Sequence, residues 1–527
     1  MRVLGVNLSH NASIAIVEDG KLLMSLEEER LSKFKKDNKV TNLFNKIKND
    51  YFDIVTYTSY NINKAHQKKY SDYITTELEL NNIKYDKLVM FPYHHLTHVF
   101  TAFYNSSFKE AMCLVIDNGG LQFNVDSVEL GEEVVSLYKI NYKTYEELFK
   151  LLKSGDSKNQ TIKNYHNVNC ISPAGVFELY AAVFGFKEAG SVMGLSAYGK
   201  ENNNVTSLYK SKFCELNLKF NDMAIQRKSY GNVTKEDLCY RIQKDTTDLV
   251  KHYIKLIIKE YKNIPICLSG GYFQNSVANY QFLQLSKNIY VDPVCHDGGV
   301  SIGLAQHACF IEGKKKPVKF DNLYKGIKYN YSIKNIDSNM IDADAKIVAK
   351  LLANNKSVAI YQGRSEIGPR ALGNRSILFN PANPKAKEKI NLIKRREWFR
   401  PYAGTVLQEH ANKWFDLKGK KDIKFMSYVV NVKKNKIPGI CHVDNTCRIQ
   451  TLTKQDNKHF YALLKEFYNI TGIPILLNTS LNVAGKPLVE DIDDVLEFLN
   501  VSGIDYVYLP EFKKVLKNEN LLKLPTI

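Results

Sequence analysis

The sequence has no apolar run near the ~18 residues that a membrane-spanning helix requires, so no membrane span is expected. Its opening, MRVLGVNLSH, carries one Arg and no long apolar stretch; no secretory leader is expected, and the expected location is cytoplasmic. Nine cysteines, an odd number without a CxxC pair, argue against a disulfide framework and against a structural zinc finger. No HExxH is present, which leaves a zinc protease unsupported. There is no GxSxG elbow and no recognisable Cys/His pair, so nucleophilic hydrolase chemistry has no support either. Neither a P-loop nor a GxGxxG after a strand occurs. No internal repeat or long low-complexity tract is visible.

What is present is an ordinary globular composition. Hydrophobic residues make up 44% and charged ones 24%, which excludes a disordered or fibrous chain. At ~150 residues per domain, 527 residues allow two to four domains. Lys plus Arg total 73 against 55 Asp plus Glu, and the resulting +18 concentrates anions, whether nucleic acid, membrane surface or phosphorylated metabolites. The richness in Lys, Asn, Ile and Tyr equally fits an AT-rich genome. Composition shifts between Gly313 and Asn339, where Lys314, Lys315, Lys316 and Pro317 precede a polar, Tyr-rich stretch that reads as an interdomain connection. We place the boundary there, giving domains 1–325 and 326–527.

The N-terminal part begins with short strands at Val3–Val6, Ser13–Val17 and Lys21–Leu26, the last two joined by an Asp19-Gly20 hairpin turn. Met112–Ile116 is a further strand ending in Asp117-Asn118-Gly119-Gly120. Leu249, Val250, Tyr253, Ile254, Ile257, Ile258 and Tyr261 keep helical spacing, and a buried strand at Pro265–Leu268 leads into Ser269-Gly270-Gly271. Strands mixed with helices, with glycines at strand ends, indicate an α/β fold. Val358–Tyr361 and Ile475–Leu477 read as strands of the C-terminal part. Phe460, Leu463, Leu464 and Phe467 form a helix stopped near Gly472, and the pattern leaves α+β and α/β open there.

His94 and His98 stand four apart before an apolar helical run, which puts both rings on one helix face, able to grip one metal. Asp117 and Asp297, at a strand end and in the turn HDGG, would complete the set with carboxylates pointing into a crevice. Two imidazoles and two carboxylates suit Fe(II), Mn(II) or Zn(II). The turns Asp117–Gly120, Ser269–Gly271 and Asp297–Gly299 expose backbone amides of the kind that cradle phosphates. In the C-terminal part, GRSEIGPRALGNRS (363–376) interleaves Arg364, Arg370 and Arg375 with glycines, and guanidinium forks match phosphate oxygens. Lys394, Arg395, Arg396, Arg400 and Arg448 follow, set among Trp398, Phe399 and Tyr402 in the composition of a walled pocket. Thr479, Ser480 and Asn482 offer short polar groups after a strand. A second anion site is expected.

These residues lie in motifs that run nearly end to end: GVNLSHNASIAIVEDG, EEERLSKFKKD, HHLTHVFTAF, VIDNGG, VMGLSAYG, LSGGYFQNSVAN and DGGVSIGLA, then GRSEIGPRALGNRSIL, KRREWFRPYAG, HVDNTCRIQ and NTSLNVAGKP. Together they resemble the NodU/CmcH-type O-carbamoyltransferases of natural-product and nodulation-factor synthesis. The resemblance implies an N-terminal actin-like ATPase (ASKHA) fold and a C-terminal YrdC-like α/β domain. It further implies that the C-terminal domain makes carbamoyladenylate from carbamoyl phosphate and ATP with Mg²⁺, and that the N-terminal domain passes the carbamoyl group to an acceptor hydroxyl beside a bound divalent metal, Fe²⁺ before Mn²⁺ or Zn²⁺. On the same ground His94, His98, Asp117 and Asp297 match the metal positions. Arg364, Arg370, Lys394, Arg396, Arg400, Arg448, Ser480 and Asn482 match the carbamoyl phosphate and ATP region. Gly119 belongs to the first glycine turn, and Gly270, Gly271 and Asn275 match the nucleotide loop. His10 and Lys35 match residues near the transfer site, and the family tendency points to a homodimer.

Four positions depart from the family pattern. Asn11 replaces Asp, Lys36 replaces His and Ser191 replaces Lys in the transfer half, while Lys486 replaces Glu in the other. The competing readings are carbamoyl or threonylcarbamoyl transfer to a protein thiol or tRNA, a small-molecule kinase, and a non-catalytic basic nucleic-acid-binding protein. The thiol reading lacks the acylphosphatase domain and CxxC zinc motifs of its family, the kinase reading leaves GPRALG without work, and no nucleic-acid module is recognisable.

Overall fold

A computed structural model describes residues 1–58, 64–125, 128–153, 160–162, 165–168, 170–212, 233–332 and 340–519. The chain divides into two compact units, Met1–Ser32 with Lys36–Asp321, and Asn322–Ile527 with Lys33–Lys35. No helix among the described residues is long and apolar enough to cross a membrane.

The first unit holds two sheets. Strands β1 (Arg2–Asn7), β2 (Ser13–Glu18), β3 (Lys21–Glu27), β4 (Tyr51–Thr58) and β5 (Lys84–Phe91) lie in the order β3-β2-β1-β4-β5. The first three are antiparallel and the last two run parallel to β1. Asp19 and Gly20 turn the β2–β3 hairpin at φ 48° and 83°, the pair of left-handed positions that its right-handed twist demands and that Asp-Gly supplies.

The second sheet comprises β6 (Glu110–Ile116), β7 (Gln122–Val125), β8 (Val128–Asn141), β9 (Tyr145–Lys153), β10 (Gln160–Ile162), β11 (Tyr165–Val168), β12 (Ile266–Ser269) and β13 (Ile289–Val291). Its run β9-β8-β6-β12-β13 has the strand order and directions of the first sheet. The unit is thus a repeat of topology that residue identities do not betray, because backbone pairing and buried volume can be kept while side chains change. This duplicated α/β sheet is the arrangement expected of the actin-like ATPase fold.

Three long helices matter for the site, α1 (His94–Ser106), α2 (Lys235–Glu260) and α3 (Val300–Gly313). Each of α1 and α3 follows the last strand of one sheet but packs on the other, α1 against β6 and β12, α3 against β1 and β2. The two helices also pack on each other. Every residue of α1 is buried, as a helix between layers must be. The crossing is close because Gly303 faces α1: a Cβ there would lie 2.4 Å from the Thr97 carbonyl oxygen. Gly5 does the same on the sheet side, 2.1 Å from the Ser301 carbonyl. Helix α2 starts well before its apolar spacing becomes regular, at a Thr234 cap that accepts from the Asp237 amide.

The second unit is one mixed nine-stranded sheet, so its class is α/β with both strand senses. Its strands are β14 (Met340–Asp342), β15 (Val358–Tyr361), β16 (Arg375–Phe379), β17 (Ala403–Leu407), β18 (Val429–Asn431), β19 (Thr446–Leu452), β20 (Ile475–Ser480), β21 (Tyr506–Leu509) and β22 (Lys514–Lys517). Their order is β14-β22-β21-β15-β16-β20-β17-β19-β18. Helices α4 (Ala345–Ala353) and α6 (Lys458–Thr471), either side of α5 (Ala386–Lys394) in the chain, bury Val348, Leu352, Phe460, Leu464 and Phe467 in the core beside Val358, Ile360 and Leu378. Gly472, at φ 69°, ends α6 as expected.

Gly303→Ala tests the helix crossing. The added methyl should cost about 1–3 kcal/mol in denaturant unfolding, outweighing the ~1 kcal/mol of helix propensity it gains.

Candidate functional site

The topology of the first unit brings three chain segments to one point. The first two turns of α1 supply His94 and His98, the residue after β6 is Asp117, and Asp297 opens the short turn Asp297–Gly299 that leads into α3. One ligand atom from each lies within 4.8 Å of the others. Both imidazoles are 0% exposed, Asp117 6% and Asp297 3%. The rings meet edge-on, 4.8 Å between centroids at 89°. His94 Nε2 stands 3.5 Å from Asp297 Oδ1, and His98 Nε2 stands 3.4 Å from Asp297 Oδ1 and 3.5 Å from Asp117 Oδ2.

These four groups fit a divalent cation. Neither ring nitrogen of His98 makes a hydrogen bond among the described residues, although both are sealed from water. Buried polar atoms are otherwise almost always satisfied. Burial pushes Asp117 up to about 7, with the charge of Asp297 adding to it. Burial also opposes the charge of Asp297, yet His94 and then His98 hold it well below the ordinary carboxylate range. Two desolvated carboxylates this close repel, and a cation between them relieves the cost.

The carboxylates are aimed by their surroundings. Asp117 accepts from the Gly271 amide at 2.9 Å and from the Asn118 amide at 2.6 Å. Asp297 Oδ2 accepts from Ser9 Oγ at 3.0 Å, and His10 Nδ1, on a half-exposed ring, lies 3.4 Å from the same oxygen. The Gly270 position is glycine by necessity, with φ 98° and a Cβ that would fall 2.3 Å from the Ile116 carbonyl. A Cβ on Gly119 would meet the Glu132 carboxylate at 2.0 Å. Asn275 is occupied in structure: its side chain caps the Ser276–Phe282 helix and pairs with the amide of Gln243 on α2.

In the second unit the register of β17, β19 and β20 sets Ala403 between Asn478 and Arg448. Arg448 and Ser480 therefore emerge at one end of the sheet. The Arg448 guanidinium is held well below its usual basicity, first by burial and then by the positive charges of Arg370, Arg396 and Arg400. Its Nε is shielded from solvent without a hydrogen-bond partner among the described residues. Arg400 is itself 6% exposed, with Glu397 3.8 Å away. Four guanidinium groups converging in this way call for a multiply charged anion.

Lys394, at the end of α5, is 2% exposed, which lysine tolerates only when well paired. Its Nζ donates to the Ser480 carbonyl at 2.5 Å, to Asn482 Oδ1 at 2.7 Å and to the Asn482 carbonyl at 2.8 Å. The Gly363–Ser376 loop is shaped by Glu366, whose Oε1 accepts from the amides of Leu372, Asn374 and Arg375 at 2.7, 2.8 and 3.3 Å. A buried layer of Thr405, Gln450 and Asn478 supports it from the sheet, Gln450 donating to the Leu372 carbonyl at 3.0 Å and Asn478 to the Ala371 carbonyl at 3.3 Å.

The expected site residues thus fall into three gatherings: the four metal candidates, the arginines 370, 396, 400 and 448, and the trio Lys394, Ser480 and Asn482. Arg364 stands apart in its bonding, its Nε and Nη2 donating to the carbonyls of Gly326 at 2.7 Å and Lys325 at 3.0 Å. Lys35 groups with the second unit. Of the departures, Lys36 pairs with Glu178 at 2.7 Å, and Asn482 Nδ2 donates to the Lys486 carbonyl at 2.6 Å. Sequence reasoning missed Ser9, Glu133, Lys150 and Glu366. Ser9 was within reach of it, being next to His10 in the opening turn; the strand residues Glu133 and Lys150 carry no spacing signal.

Comparison with known sequences adds a separate line of support. The model described as carbamoyltransferase N-terminus matches residues 45–306, and that described as carbamoyltransferase C-terminus matches residues 349–514. The nodulation protein NolNO of Sinorhizobium fredii is 27% identical, covering 94% of this chain and 77% of its own. A nodulation protein U of Bradyrhizobium diazoefficiens is 26% identical over 93% of this chain and 94% of its own. Among solved structures, full-length HypF in its phosphate- and nucleotide-bound form shares 14% identity at a TM-score of 0.37, covering 59% of this chain and 56% of that one.

Removing a metal candidate should be felt directly. His98→Ala and Asp117→Asn should each weaken Mn²⁺ binding by more than about 100-fold in a calorimetric titration, beyond what loss of a supporting group costs.

Proposed function

Because this chain belongs to the carbamoyltransferase family, we propose that it is an ATP- and carbamoyl phosphate-dependent O-carbamoyltransferase whose two units divide the chemistry. The second unit forms carbamoyladenylate, and the first passes the carbamoyl group to a hydroxyl of a small-molecule, sugar or nucleotide acceptor. The observation that carries this reading is that Arg370, Arg396 and Arg400 all lie near enough to Arg448 for their charges to lower its basicity.

Carbamoyladenylate contains carbamate and AMP, so its formation consumes one water and releases inorganic phosphate from carbamoyl phosphate and pyrophosphate from ATP. The carbamate oxygen attacks the α-phosphorus as the bond to pyrophosphate breaks. Negative charge on both substrates must be gathered, and more develops on the departing pyrophosphate. Fixed guanidinium groups would meet that need without reorganising during the reaction. Lys394, which Ser480 and Asn482 hold in place, would bring a further cation, and Mg²⁺ would accompany ATP.

In the first unit His94, His98, Asp117 and Asp297 would hold the divalent metal, which when bound supplies Lewis-acid polarisation of the carbamoyl or phosphate oxygens. The acceptor oxygen attacks the carbamoyl carbon and AMP leaves. His10 would take the acceptor proton, a role supported by its Nδ1 lying 3.4 Å from Asp297 Oδ2 while the ring remains half-exposed. Asn11 follows it where the family usually has a carboxylate, so orientation of His10 falls to Asp297.

The adenylating half can be tested without an acceptor. With ATP, Mg²⁺ and carbamoyl phosphate, mass spectrometry should detect carbamoyladenylate and pyrophosphate should accumulate. Arg396→Ala should slow both by about 10²–10³-fold, the usual cost of removing one fixed charge at a transition state. A folded protein that leaves ATP untouched would refute the reading.

A further inference from the structure

We infer that Glu133, braced by Lys150, is a positioning residue for the candidate metal centre: it clamps the helix bearing His94 and His98 to the loop that leaves Asp117. The inference rests on the metal reading of those residues. Glu133 and Lys150 lie on the neighbouring strands β8 and β9, and each is 1% exposed.

One carboxylate oxygen does the clamping. Glu133 Oε1 accepts from the His95 amide at 3.1 Å and from the Leu121 amide at 3.1 Å. The first amide lies between the two candidate imidazole ligands; the second ends the turn that begins at Asp117. Backbone bonds close the same seam, Asp117 N to the Val134 carbonyl at 3.1 Å and Glu133 N to the Leu121 carbonyl at 3.0 Å.

The strand is bent to make this possible. Residues three apart point to opposite faces of a regular strand. Here the register of β8 and β9 shifts between Glu133 and Val135, and that bulge lets Glu133 and Ser136 both reach His95. Ser136 Oγ meets His95 Nδ1 at 2.8 Å, so this third histidine is held by the scaffold. The turn is packed onto the carboxylate without slack: a Cβ on Gly120 would lie 2.7 Å from Glu133 Cγ and 3.1 Å from His94 Cδ2.

Lys150 completes the arrangement by charge. Asp117 and Asp297 already balance a divalent cation, and a third buried carboxylate would be in excess. Lys150 Nζ donates to Glu133 Oε2 at 2.7 Å and lies 2.9 Å from Glu147 Oε2, 3.3 Å from Tyr138 Oη and 4.2 Å above the Phe123 ring. Lys150 thus offsets the fully buried Glu133 charge nearest the centre, while Glu147, its second carboxylate partner, is a quarter exposed. An ordinary buried ion pair would serve stability alone; the clamp also sets the distance between ligands.

The test measures metal affinity apart from folding. Mn²⁺ is titrated into the full-length protein, with free ion read by electron paramagnetic resonance and unfolding followed by melting. The double variant Glu133→Gln with Lys150→Met removes the pair and leaves only the quarter-exposed Glu147, which keeps the Tyr138 hydroxyl as a donor. Glu133→Asp keeps the charge and shortens the reach, and serves should the double variant not fold. Either folded variant is expected to bind Mn²⁺ about 10–100-fold more weakly than the parent, the range for residues that orient metal ligands. Parent-like Mn²⁺ affinity in a folded variant, whatever its melting temperature, overturns the clamp and leaves the metal reading standing. If the parent protein itself fails to bind Mn²⁺, Zn²⁺ or Fe²⁺, the metal reading falls and the clamp with it.

Discussion

Two carboxylates and two imidazoles, nearly stripped of water and within 4.8 Å of one another, are the constraint around which the first unit is organised. Such a gathering is costly for an apo protein, because like charges in a poorly polarisable interior repel strongly. It persists because the ligands come from elements that are hard to move. Exchanging α1 and α3 between the sheets places the first turn of one helix and the start of the other at the end of β6. Gly303 and Gly5 let those layers approach. Backbone amides from Gly271 and Asn118 then fix Asp117, and Ser9 fixes Asp297.

The second unit solves the opposite electrostatic problem. Its arginines converge and are partly desolvated, so a polyanion is the natural complement. Glu366 spends its carboxylate on three loop amides, and Lys394 is saturated by Ser480 and Asn482. These bonds fix the loop and the lysine in place before any anion binds. A positive site for an anion and a negative site for a cation are what the proposed carbamoyl activation followed by transfer would require.

Much of this was legible in the sequence, and the exceptions are instructive. The HxxxH spacing gave a shared helix face, and the strand-end positions of Asp117 and Asp297 gave carboxylates in a crevice; both follow from local periodicity. The arginines were legible as a group, but density alone does not separate a pocket residue from a loop brace: Arg364 donates to two carbonyls, and Arg375 is fully buried with its guanidinium 3.9 Å above Tyr361. Asn275, which matches the nucleotide loop by resemblance, also caps a helix, and that capping leaves no separate mark in the motif. Glu133 and Lys150 were invisible because cross-strand pairing and a bulge bring them to the centre, neither of which leaves a mark in spacing. The doubled sheet order was hidden for the same reason, being a property of backbone pairing.

Division of labour between the two units is most directly tested by measuring pyrophosphate release and acceptor-independent carbamoyladenylate in two variants side by side. Asp297→Asn should retain pyrophosphate release while losing divalent-metal binding, and Arg448→Gln should lose pyrophosphate release while retaining the metal. Loss of pyrophosphate release and of metal binding together in either folded variant, or full adenylate formation by Arg448→Gln, would contradict it.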